Sequence, residues 1–188
     1  MPQLGIDISN WTGEITAKNA RAMKNALGIE RAIIAAQFPQ TYFPASDVLS
    51  KAGYTLDAYI YLYNTDSSSY LQQAQSALDR IYGSPYTYLW LDIEDVTPSA
   101  TIVDEINELI NALENQNIGV YTGYWYWPAF TGNLQIGSRV PLWTANWDNN
   151  SDGNFEVDYG GWKHALVKQY KAGYQYNGLN LDLDAWSE

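Results

Sequence analysis

Asp92 and Glu94, in the run Trp90-Leu91-Asp92-Ile93-Glu94-Asp95, have the types and spacing that most directly suggest chemistry. They end an apolar stretch that begins at Tyr86 and reads as a β-strand. Alternate side chains of a strand share a face, so both carboxylates project together while Leu91 and Ile93 turn away. Adjacent acids repel, and the one in drier surroundings holds its proton above its usual pKa. A carboxylic acid still protonated near neutral pH, beside an ionised partner, is the equipment for cleaving a glycosidic bond. A glycosidase is the leading reading of this pair.

The elements that must position the pair alternate between strand-like and helix-like periodicity, the signature of an α/β domain with mostly parallel strands. Strands are predicted at Leu4–Ser9, Ala32–Ala36, Thr55–Tyr63, Tyr86–Glu94 and Asn117–Gly123. The first helix runs from about Thr16, its N-cap, to Leu27, with Gly28 ending it. A short helix is expected over Pro44–Ala52, closed by Gly53. Leu71, Ala74, Leu78 and Ile81 mark one face of the next helix, and Ile102, Ile106, Leu109, Ile110 and Leu113 the clearest amphipathic helix. Beyond Gly123 the helical signal thins, and Pro141–Trp147, Ala165–Tyr170 and Asn180–Trp186 read as strands. Five βα units and three further strands suffice to close a modified TIM-like barrel. With no internal repeat or linker, residues 1–188 read as a single domain.

In parallel barrels, reactive residues sit at the C-terminal ends of the strands. That constraint adds Asp7, near the end of the first strand, and Asp182, in the last. Closure makes those strands neighbours, so Asp7 and Asp182 can join Asp92 and Glu94 in one acidic pocket. Each has a plainer reading. Asp7 before Ser9 is equally a turn-capping pattern. Asp182 and Asp184 share a face that also fits the solvated side of an edge strand, the preferred reading for Asp184, and Asp95 reads as a turn residue.

Composition narrows the partners. There are 21 acids against 10 bases, a net charge of −11, which argues against nucleic acid, whose recognition needs a basic footprint. No apolar run is long enough to span a bilayer, so no membrane partner is expected. The start Met1-Pro2-Gln3-Leu4-Gly5 shows no basic, hydrophobic leader. There are no cysteines, hence no disulfide or thiolate chemistry. The outlier is 8 Trp and 16 Tyr against 4 Phe. Rings with a polar handle suit sugar-stacking surfaces, although the core is expected to take about half of them. Tyr61, Tyr63, Tyr121, Trp125, Trp143 and Trp147 fall on or just after strand ends. Tyr63 and Tyr121 are the preferred substrate contacts, followed by Tyr61 and Trp143.

Five segments occur in order: Gly5-Ile6-Asp7-Ile8-Ser9, Leu91-Asp92-Ile93-Glu94-Asp95, Gly119-Val120-Tyr121-Thr122-Gly123, Pro141-Leu142-Trp143-Thr144-Ala145 and Leu181-Asp182-Leu183-Asp184-Ala185-Trp186. Together they resemble the family 25 glycoside hydrolases, the Chalaropsis-type lysozymes, over nearly the whole chain. The resemblance implies a barrel of five βα units and three strands. It also implies hydrolysis of the β-1,4 bond between N-acetylmuramic acid and N-acetylglucosamine in peptidoglycan. By it Glu94 is the general acid, and Asp92, Asp7 and Asp182 are the other acids of the site. No metal or cofactor is required, and the expected partner is the peptidoglycan glycan strand, met outside the cell or in the wall by a monomer. One segment departs from the pattern. Where the family usually carries Lys-Ala-Thr-Glu-Gly, this chain has Ala35-Ala36-Gln37-Phe38-Pro39-Gln40, which places it on a divergent branch.

Two rival functions share the barrel: a non-catalytic carbohydrate-binding scaffold, and a glycosidase for another N-acetylated polysaccharide. The intact set of four acids favours an enzyme over the scaffold. The bare Asp-x-Glu lacks the extra upstream acids of chitinase-type motifs. Two smaller signals remain. Asp148-Asn149-Asn150-Ser151-Asp152-Gly153 matches the first half of a calcium loop, but the closing position holds Tyr159 where a bidentate Glu belongs. His164 is the sole histidine and reads as structural.

Overall fold

A computed structural model describes residues 2–65, 67–97, 99–152 and 155–187. The first half alternates strictly: β1 (Gln3–Ile8), α1 (Ala17–Leu27), β2 (Ile29–Ala35), α2 (Pro39–Lys51), β3 (Thr55–Tyr61) and α3 (Tyr70–Arg80). It continues with β4 (Leu89–Asp92), α4 (Ile102–Ala112), β5 (Ile118–Gly123) and a five-residue α5 (Trp127–Thr131). Then come β6 (Leu142–Ala145), β7 (Glu156–Tyr159), β8 (Trp162–His164), β9 (Val167–Tyr176) and β10 (Leu179–Trp186). Eight strands close a barrel in the order β1-β10-β9-β6-β5-β4-β3-β2, and β7 and β8 form a separate hairpin. The expected α/β barrel is therefore the observed architecture.

The local signals act as their chemistry requires. The Thr16 hydroxyl accepts from the Asn19 amide at 3.2 Å, and Gly28, at φ 68°, ends α1. Ser69 and Gln72 form a reciprocal capping box on α3. Three expectations change. The helix expected from Pro44 begins at Pro39, which takes the first-turn position that needs no N–H, and it runs on through Pro44. The β7–β8 hairpin, with Gly160 and Gly161 at positive φ in its turn, stands where a loop was expected. The last two strands are longer than expected because Asn177-Gly178, both at positive φ, join them as a tight hairpin.

That hairpin reverses the chain. β10 runs antiparallel to both β9 and β1, with Asp7 opposite Asp182 and Gly5 opposite Asp184. In a reversed strand the beginning, not the end, lies at the mouth where the parallel strands finish. Asp182 is thus at the rim and Asp184 deeper in the barrel, fully buried, with the Trp143 indole N–H donating to it at 2.9 Å. The reading of Asp184 as a solvated edge position is corrected, since a closed barrel has no edge.

The core has two layers, one between barrel and helices and one inside the barrel. The inner layer is aromatic, built around Tyr59, Trp90, Tyr121, Trp143 and Trp186. Glycine makes room for it: a Cβ on Gly119 would meet the Trp90 ring at 2.3 Å. Five of the eight Trp and seven of the sixteen Tyr are buried, so half of these rings are core, as expected.

Below the aromatic layer, buried Asp57 accepts from Arg31 at 3.3 Å, from the Trp90 indole at 3.2 Å and from the Tyr88 amide at 3.1 Å. Removing the cation strands a buried carboxylate. Arg31→Met is expected to cost about 3 kcal/mol at pH 7, read as a lowered urea midpoint. The loss should shrink toward pH 4, because burial already raises the proton affinity of Asp57. An equal loss at both pH values would sink the ionic account.

Candidate active site

The barrel mouth holds a cleft of about 340 Å³ whose lining includes Asp7, Asp92, Glu94 and Asp182. Four acids from three separated segments of the sequence thus meet in one place. Asp92 ends β4, Glu94 follows two residues later on the same face, Asp7 is near the end of β1 and Asp182 faces it from β10. Tyr61, Tyr63, Tyr121, Trp143 and Trp147 also line the cleft. Trp125, half-exposed, is not among its described lining residues. Asp95 braces a loop, accepting from the Asn64 and Thr97 amides. His164 is exposed on β8.

Burial and like charge dominate the electrostatics. Glu94 is pushed from the usual 4.5 up to about 7, first by burial and then by Asp182. Asp92 and Asp7 are more enclosed, and burial holds both well above the ordinary carboxylate range, helped by their acidic neighbours. Asp182 is raised by burial, partly offset by the Gly173 amide that donates to it at 2.6 Å. Oδ1 of Asp92 is buried and has no hydrogen-bond partner among the described residues. The two members of the opening pair therefore differ in access. Glu94 is half-buried at the mouth, while Asp92 is enclosed beside it.

Sequence reasoning missed Gln169, a buried side chain on β9. Its Oε1 accepts from the Tyr121 hydroxyl at 2.9 Å and the Trp147 indole at 2.7 Å. Two donors on the oxygen fix which way the amide faces, so Nε2 points at Asp7 and donates to its Oδ2 at 2.6 Å. That bond lowers the proton affinity that burial raises. Its signal in the sequence was the alternation Val167-Lys168-Gln169-Tyr170, a polar residue where the barrel interior needs one. Lys168 on the same strand is also buried and pairs with Asp148 at 2.9 Å. This pairing occupies the first residue of the calcium-like loop, whose Gly153 lies outside the described residues. Among the described residues, no three His, Cys, Asp or Glu side chains are grouped to hold a metal ion.

Because Glu94 titrates higher in the folded chain than when unfolded, the folded state keeps a proton that the unfolded chain has already lost between about pH 4.5 and 7. The contribution of Glu94 to stability falls as pH rises through that window. The midpoint of thermal unfolding is expected to be higher at pH 5.5 than at pH 7.5. Glu94→Gln should remove part of the difference by stabilising the protein at pH 7.5, by about 3 kcal/mol at most. A scan showing higher stability at pH 7.5 than at 5.5 would contradict this.

A sequence model described as Glycosyl hydrolases family 25 matches residues 6–179. The chain is 29% identical over 196 residues to "Probable GH family 25 lysozyme 3" of Dictyostelium discoideum, covering 96% of this chain and 40% of the relative. It is 26% identical over 202 residues to "Probable GH family 25 lysozyme 5" of the same organism, covering 97% of this chain and 90% of that one. Among solved structures, the CTP1L endolysin superposes with a TM-score of 0.74 at 19% identity, covering 99% of this chain and 67% of that chain. The chain spans about 40% of the length of the first relative.

Proposed function

The chain belongs to family 25 of the glycosyl hydrolases, and from that premise we propose that it is a single-domain, monomeric peptidoglycan hydrolase with Glu94 as its general acid. The bond cut is the β-1,4 linkage between N-acetylmuramic acid and N-acetylglucosamine. The observation that carries this reading is the acid at the mouth, pushed up to about 7 and set among three further carboxylates in an aromatic-walled cleft. An acid with that pKa keeps its proton in weakly acidic to neutral solution, where it is most useful to a departing sugar oxygen.

The roles follow from access. A glycosidic oxygen entering from solvent reaches Glu94 and takes its proton as the bond to the anomeric carbon breaks. Asp7 and Asp182, paired across β1 and β10, would in their ionised forms, which the N–H donors of Gln169 and Gly173 favour, supply negative potential beneath the positive charge that develops on the sugar. Asp92, which lines the same cleft beside Glu94, is the carboxylate that would orient the substrate's acetamido group. Tyr63, Tyr121, Tyr61 and Trp143 offer ring faces and hydroxyls to the sugars. Such an enzyme works outside the cell or in the wall, after secretion or release by lysis.

The test is digestion of purified bacterial walls followed by identification of the new reducing ends. Muramic acid at those ends supports the proposal, and N-acetylglucosamine ends would move the cut to the other linkage. Walls that bind the protein but release nothing would replace the enzyme with a binding barrel.

A further inference from the structure

A second cleft, of about 250 Å³, lies between the end of β3 and α3 and shares Gln37, Tyr61 and Tyr63 with the catalytic cleft. The two differ sharply in charge. Four carboxylates line the first, whereas the described lining of the second has no carboxylate and one cation, Arg80. The rest of its polar lining is neutral, from Ser68, Gln72, Gln73 and Ser76. In a chain of net charge −11, a cationic cleft next to an acidic one is not what average composition gives.

The cleft is held in shape by hydrogen bonds. Gln73 accepts from the Tyr63 amide at 2.9 Å and donates to the Tyr63 carbonyl at 2.7 Å, tying the shared wall to α3. The Tyr61 and Tyr63 rings pack at a 60° tilt, with centroids 4.5 Å apart. Arg80 donates one N–H to the Gln37 carbonyl at 3.1 Å, which leaves the rest of its fork for an anion. Gln72 uses its carbonyl oxygen on the Ser69 amide, and its NH₂ group has no partner among the described residues.

We propose that this side cleft receives the peptide substituent of the muramic acid residue bound at the catalytic acids, with Arg80 engaging a carboxylate of that peptide. The inference rests on the peptidoglycan-hydrolase reading above. A muramic acid carries its peptide through a lactyl group on the ring, so the peptide must leave the glycan cleft sideways. Its carboxylates are repelled by the acidic floor and attracted over the half-exposed Tyr63 ring toward Arg80. Gln37 sits on this route as a neutral amide, so the crossing meets no carboxylate there.

Two measurements test it. The first compares hydrolysis of peptide-bearing glycan strands with that of the same strands stripped of peptide by an amidase. Arg80→Gln should raise KM on the peptide-bearing strands about 3- to 10-fold, leave kcat unchanged and leave the stripped strands unaffected, with Arg80→Lys intermediate. The effect should fade in high salt. An equal change on both polymers, or none on either, overturns the proposal. The second measurement is an NMR titration with N-acetylmuramyl dipeptide, using N-acetylglucosamine as the control sugar. Shifts at Gln72, Ser76 and Arg80 with the dipeptide alone support the site, and their absence overturns it. If the wild type cleaves neither polymer, the hydrolase reading fails by itself, and the titration still decides the side cleft.

Discussion

Glu94→Gln is expected to lower kcat for wall hydrolysis by about 10³-fold, within the range typical of losing a general acid. The amide keeps the size and shape of the carboxyl group and has no proton to give to the leaving oxygen. KM should change little, because the walls of the cleft are untouched. Wild-type kcat should fall as pH rises above about 7, where Glu94 gives up its proton. The residual rate of the variant should lack that limb. The same substitution should raise thermal stability at neutral pH, since it removes an acid that burial and Asp182 disfavour in its charged form. Lower activity joined to higher stability marks a residue strained for its task. Undiminished clearing, or lower activity with lower stability, would remove Glu94 from the acid role.

Much of the site was legible in the sequence because it follows from strand geometry. Asp92 and Glu94 share a face by period two, and Asp7 and Asp182 meet because a barrel must close. The burial of Asp184 was not legible because β10 runs backward. The hairpin at Asn177-Gly178 reverses the strand, and reversal sends Asp184 into the barrel, where Trp143 donates to it. A rule that places reactive residues at strand ends cannot foresee this, because for β10 the functional end is the start. The β7–β8 hairpin was obscured for another reason. Only Tyr159 and Trp162 of its strands are buried, and these short strands give too little alternation to register. Gln169 is polar within a buried strand, and its purpose emerges only from three partners brought to it by β1, β5 and the loop after β6.

Gln169 therefore carries the second large prediction. Met fills a similar volume with neither a donor for Asp7 nor an acceptor for Tyr121 and Trp147. The substitution breaks three hydrogen bonds at once and leaves the buried Tyr121 hydroxyl without its acceptor, at a cost of about 2 kcal/mol. If that cost falls on the geometry of the catalytic acids, kcat drops about 30-fold. The direction of the pH effect is fixed by the Asp7 bond. Nε2 of Gln169 stabilises the carboxylate form of Asp7, so its removal raises the proton affinity of Asp7 further. Charge stabilisation at the sugar requires Asp7 ionised, so the acidic limb of the kcat profile should move to higher pH while the limb set by Glu94 stays near 7. Gln169→Glu should also be impaired, because it adds a fifth acid to Asp7, Asp92, Glu94 and Asp182. A merely structural glutamine would lower the amount of folded protein and leave the profile of the surviving enzyme unmoved. An unmoved acidic limb in a folded Gln169→Met variant would separate Gln169 from the chemistry.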